Sequence, residues 1–94
     1  MTFRIPGGLR EFAGGRSEIE LEHPPATLNQ VLLILWTICP GMRDRVVTEQ
    51  GELRPHINLF VGEENIRYTG GLATHIASES VISIVPAVSG GAQI

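Results

Sequence analysis

Apolar and polar positions along the chain follow two periods, and the switches between them outline its elements. Phe3 and Ile5 alternate with polar neighbours, Pro6-Gly7-Gly8 and Gly14-Gly15 bracket a turn-rich connection, and Arg16 to Glu22 alternates again. The pattern predicts a β-hairpin with a long loop. In its second strand Ile19 and Leu21 face one way and Glu18, Glu20 and Glu22 the other, as in a sheet with one wet side. His23-Pro24-Pro25 stops that strand. Thr27, followed three residues later by Gln30, is a capping-box signature for a helix that starts near Leu28 and ends at Pro40-Gly41. Leu28, Val31, Leu32, Leu35 and Cys39 recur at helical spacing on one stripe. Leu33, Ile34 and Trp36 widen the apolar surface beyond that stripe, so something else is expected to cover part of the helix.

Met42 to Val47 fits either a loop or a short helix, and Thr48 to Glu52 is a polar turn around Gly51. His56 to Val61 is the clearest strand, with Ile57, Leu59 and Val61 on one face and Asn58 and Phe60 on the other. Gly62-Glu63 suits a type II′ hairpin turn into a short strand at Asn65 to Tyr68, closed by Gly70-Gly71. A last strand, Val81 to Val85, meets Pro86, which has no ladder donor and should end the pairing. The order ββαβββ contains one helix and no repeated βαβ unit. It therefore predicts an α+β fold, with the helix across one face of a mixed four- to five-stranded sheet.

Composition narrows the function. A chain of 94 residues can close one core but not two, and 43% apolar with 18% charged residues is an ordinary globular balance. The longest apolar run, Val31 to Cys39, falls far short of the roughly 20 residues that cross a bilayer. Met1 to Ile5 lacks the features of a signal peptide, which makes the cytoplasm the expected compartment. Cys39 has no second cysteine for a disulfide or a redox pair and reads as a buried helical thiol. The net charge of −3 argues against binding a phosphate backbone. All seven basic residues are Arg, so a phosphate loop, which needs Lys, is excluded. His23, His56 and His75 lie at no ligand spacing and read as structural, and Glu63 and Glu64 as exposed turn residues. The body of the chain thus offers no constellation for catalysis.

The last third is more specific. His56-Ile57-Asn58-Leu59-Phe60-Val61, Ile66-Arg67-Tyr68-Thr69-Gly70-Gly71-Leu72-Ala73-Thr74 and Ile84-Val85-Pro86-Ala87-Val88-Ser89-Gly90-Gly91 closely resemble the MoaD/ThiS family of ubiquitin-like, β-grasp sulfur carriers. Weaker matches at Leu9-Arg10, Gly14-Gly15, Leu32, Leu35 and Pro40-Gly41 extend the resemblance over nearly the whole chain. Gly-Gly-Leu-Ala-Thr and the Pro-Ala-Val-Ser-Gly-Gly ending look most like the cysteine-biosynthesis carriers of actinobacteria. The chain departs from the family at Gly62-Glu63, where Asn-Gly is usual, and at Ser78-Glu79-Ser80-Val81, where Asp-Gly-Asp-Glu is common. It also carries Ala92-Gln93-Ile94 beyond Gly-Gly.

What the resemblance implies is a β-grasp domain over residues 1–86 and a C-terminal tail over 87–94, whose residues 92–94 are removable. The working group would be the carboxylate of Gly91, next to Gly90, exposed by a JAMM-type zinc protease. A ubiquitin-activating-like adenylyltransferase/sulfurtransferase would adenylate it with ATP, and a thiocarboxylate would then give sulfur to an acceptor such as a cysteine synthase-like enzyme. No cofactor is expected on the carrier itself, nor a nucleic-acid or membrane partner. Gly90-Gly91 has no Cβ to obstruct entry into an enclosed site. The expected partner-binding residues are Phe60 and Val85, which alternate with core-facing neighbours, and Pro86, Val88 and Ser89 beside the glycines. The alternatives are a small subunit of molybdopterin synthase, a protein modifier and a non-conjugating β-grasp interaction module.

Overall fold

A computed structural model of the chain describes residues 1–87. Strand β1 (Thr2–Arg4) and β2 (Glu18–Glu20) pair antiparallel, joined by a 3-10 turn over Gly7–Ala13. Helix α1 (Leu28–Ile38) follows, then a 3-10 turn at Pro40–Met42 and a one-turn helix α2 (Arg43–Val46). The ambiguous stretch from Met42 is thus helical. Strands β3 (Ile57–Val61), β4 (Glu64–Asn65) and β5 (Val81–Pro86) complete one five-stranded sheet in the order β2-β1-β5-β3-β4. Only β1 and β5 run parallel, side by side at the centre of the sheet. This is the β-grasp arrangement.

The capping box forms as the sequence requires. Gln30 N–H donates to Thr27 Oγ1 at 3.4 Å, and Thr27 N–H donates to Gln30 Oε1 at 3.2 Å. The predicted stripe of Leu28, Val31, Leu32, Leu35 and Cys39 is buried against Phe3, Ile19, Ile57, Leu59, Ile82 and Ile84 of the sheet. The expected cover over the rest of the helix is not found among the described residues. Trp36 packs half-buried against the core, but Leu33 is 59% exposed, and Ile34 and Ile38 stay open beside it. The start of α1 is tied to the long β4–β5 connection: Leu28 N–H donates to Thr74 O at 2.9 Å and Ile76 N–H to Ala26 O at 2.8 Å.

Strand β2, Glu18–Glu20, is shorter than the alternation from Arg16 to Glu22, and two later strands also depart from the sequence pattern. Ile66–Tyr68 forms a 3-10 turn instead of prolonging β4, because Asn65 Oδ1 takes the Arg67 N–H at 3.0 Å and competes with the ladder. Pro86, expected to end the pairing, lies inside β5 opposite Ile57, and Ala87 N–H still reaches His56 O at 2.7 Å. That bond makes Ile57 and Pro86 a non-hydrogen-bonded pair. The Pro86 nitrogen therefore faces the β1 side, where β1 has already ended, and no ladder donor is lost. The β3–β4 turn behaves as predicted: Gly62 has φ +64° while Glu63 stays at negative φ, as type II′ requires and type I′ forbids.

Candidate functional site

Strand β5 leads to the C-terminal tail, so the site is built around its last residues. The pairing register puts Thr2, Arg4, Glu18, Glu20, Val81, Ser83, Val85, Asn58, Phe60 and Asn65 on the sheet face away from α1. Phe60 stands between the small Ser83 and Asn65, half-buried and outside the core cluster. Val85, opposite Asn58, is 42% exposed. The structure thus places the expected Phe60 and Val85 on one outer face, whereas Pro86, opposite Ile57, lies on the α1 side of the sheet. Val88, Ser89, Gly90 and Gly91, with the extension over 92–94, lie outside the described residues.

A polar network that the sequence pattern does not reveal supports this corner. Asn58 Oδ1 accepts from Asn65 Nδ2 at 3.2 Å and from Arg67 Nε at 3.3 Å. Arg67 Nη2 donates to the carbonyls of Arg54 at 2.8 Å, Pro55 at 3.3 Å and Ile57 at 2.6 Å. The guanidinium thereby holds the chain entering β3, whose remaining carbonyl in this stretch, that of His56, receives the Ala87 N–H.

Two clefts open elsewhere on the surface. One of about 530 Å³ is lined by Thr27, Asn29, Gln50, Gly51, Leu72 and Ala73, none of them titratable. The other, of about 290 Å³, is lined by Asp44, Arg45, Arg54 and His56 and adjoins the end of β5 through His56. His23, His56 and His75 are all exposed and do not meet. Among the described residues no group of three His, Cys, Asp or Glu side chains could hold a metal ion, and no helix is long and apolar enough to cross a membrane. Cys39 is buried, its Sγ 3.8 Å from Arg16 Nη2.

Sequence and fold comparisons agree with this architecture. The chain matches the ThiS family over residues 3–91. It is 34% identical over 93 residues to the sulfur carrier protein CysO of Mycobacterium tuberculosis, covering 97% of this chain and 98% of that one. It is 30% identical over 91 residues to small archaeal modifier protein 3 of Haloferax volcanii, with 97% and 98% covered. Among solved structures, a chain of the Amycolatopsis orientalis BexX/CysO complex superposes with a TM-score of 0.86 at 32% identity, over 96% of this chain and 98% of that one. By the span of these matches and by its β-grasp sheet, the chain belongs to the ThiS family and resembles the CysO type within it.

Proposed function

We propose that the protein is a sulfur carrier whose reacting group is the carboxylate of Gly91, and that it acts as a protein co-substrate, not as an enzyme. The observation that carries this reading is the family match, which runs from the first strand through the tail and stops at Gly91. In an amide to Ala92 that carbonyl has no carboxylate oxygen to attack ATP. Cleavage after Gly91 must come first, by a protease of the JAMM type. The freed carboxylate then attacks ATP on an activating enzyme, giving an acyl-adenylate and pyrophosphate. A sulfur donor displaces AMP to leave a thiocarboxylate, and the acceptor is a biosynthetic enzyme such as a cysteine synthase-like protein.

Support from the fold is positional. Val85 and Phe60 offer apolar contact on the outer face, and Pro86 follows Val85 at the end of β5. Two samples test the proposal: the chain through Ile94, and one stopped at Gly91. Each is mixed with the activating enzyme, ATP and a sulfur donor and weighed by intact mass spectrometry. The shorter chain should gain the mass of an oxygen-to-sulfur exchange and the longer should not. Equal activation of the uncut chain, or none of the shorter, defeats the reading. The likeness to the archaeal modifier favours a second outcome, isopeptide formation through Gly91, which would appear as a ladder of conjugates on denaturing gels.

A further inference from the structure

The cleft of Asp44, Arg45, Arg54 and His56 has no part in the chemistry above, yet it lies beside the origin of the tail, since His56 O accepts the Ala87 N–H at 2.7 Å. Its two guanidiniums have no carboxylate partner among the described residues. Asp44 Oδ1 is turned to Arg43 Nη1 at 3.3 Å, and among the described residues neither Arg45 nor Arg54 has a carboxylate within 4.0 Å. The two guanidiniums are nevertheless already placed. Arg54 Nε donates to the Asp44 carbonyl at 2.7 Å, and Arg45 lies over the Phe12 ring, 4.8 Å from its centroid. Gly41 leaves room for Phe12, since a Cβ there would come within 3.2 Å of the ring. A carbonyl and an aromatic face order these side chains without neutralising them, so little rotamer entropy remains to be lost when an anion arrives.

We propose that this cleft receives an acidic side chain of the activating enzyme, seated at the mouth of the channel that takes the tail. The inference rests on the carrier reading, because an enzyme that engages the residues after Ala87 must pass its surface over His56. Charge complementarity selects the partner's chemistry: two guanidiniums in one cleft of about 290 Å³ accommodate a carboxylate as a forked acceptor, on a chain whose net charge is −3. Phe60 and Val85 on the outer sheet face supply apolar contact, and the cleft supplies orientation and encounter rate.

The test measures ATP–pyrophosphate exchange by the activating enzyme at several salt concentrations, with carrier stopped at Gly91, which retains every described residue. The double variant R45E/R54E should raise KM for the carrier by about tenfold or more with kcat unchanged, and should flatten the salt dependence of KM. R10E, which removes a cation of the Gly7–Ala13 turn, outside both the cleft and the outer sheet face, controls for net charge and should change KM less than about twofold. If the charge reversal lowers the thermal midpoint, R45Q/R54Q replaces it and should give the same KM effect in smaller measure. An unchanged KM and salt slope in the folded double variant, with the wild type activated normally, overturns the cleft and leaves the carrier reading standing. A wild type that is never activated overturns the carrier reading itself. Titrating free carrier with inorganic phosphate while following the His56 ring by NMR gives a further arm: saturation at low millimolar phosphate would make the cleft a small-anion site and sink the proposal.

Discussion

Phe60 and Arg67 lie seven positions apart and show what a side chain's neighbours reveal and hide. The face of Phe60 follows from alternation alone, because Ile57, Leu59 and Val61 commit the strand to the core and leave Asn58 and Phe60 outside. Its ring is half-buried by Ser83 and Asn65 but does not join the core cluster. Phe60→Asp should therefore weaken binding to the activating enzyme by about tenfold or more, as loss of an apolar anchor does. Stability should fall by no more than about 1 kcal/mol, the span of strand propensity. Titration calorimetry and urea unfolding check the two halves, and a loss of several kcal/mol would place the ring in the core after all. Arg67 was not legible in the same way. Its partners are backbone carbonyls of Arg54, Pro55 and Ile57, and nothing in a residue's identity says which carbonyls a turn will bring to it.

Among the elements, helix α1 was read from its own residues because both of its determinants are local. Thr27 and Gln30 satisfy two backbone donors at its start, and Leu28, Val31, Leu32 and Leu35 form the buried stripe. Thr27→Ala should cost about 1 kcal/mol, measured as a shift of the urea midpoint with no change of slope. No shift would mean that the Leu28–Thr74 and Ile76–Ala26 backbone bonds hold the helix start without help from the cap. The width of the apolar surface misled the same reading. Leu33, Ile34 and Trp36 suggested a cover, yet apolar side chains on a protein surface need none: Trp36 packs half-buried against the core, and Leu33 and Ile34 remain exposed among the described residues. Strand β4 was read too long for a different reason: Ile66-Arg67-Tyr68 has strand-like composition, but the side chain of Asn65 takes the Arg67 N–H and winds the segment into a 3-10 turn.

For the molecule as a whole, strand order was the part least visible in sequence. Alternation shows that β1 and β5 each have a core face but cannot show that Phe3 lies beside Ile82, since that pairing closes a loop of nearly the entire chain. The parallel pairing has a consequence for the tail. It places β5 between β1 and β3, so the strand that leads to Gly91 is held on both sides, and its last core residue is Ile84. Val85, Pro86 and Ala87 add pairing with Asn58, Ile57 and His56 but little buried apolar surface. A chain stopped at Ala87 should accordingly melt within about 4 °C of the chain through Ile94, because a change of that size corresponds to less than about 1 kcal/mol in a domain of this length. A chain stopped at Ile84 should melt well below both, having lost the Ala87–His56 bond and the Val85–Asn58 and Pro86–Ile57 pairs. The Ala87 chain should also fail to gain sulfur with the activating enzyme, ATP and a sulfur donor, although it keeps Phe60, Val85 and the Arg45–Arg54 cleft. Differential scanning calorimetry and intact mass spectrometry on the same samples separate folding from activation. A large fall in the midpoint on stopping at Ala87 would show that residues 88–94 contribute to the fold, and the tail could then no longer be treated as a handle separate from the domain that carries it.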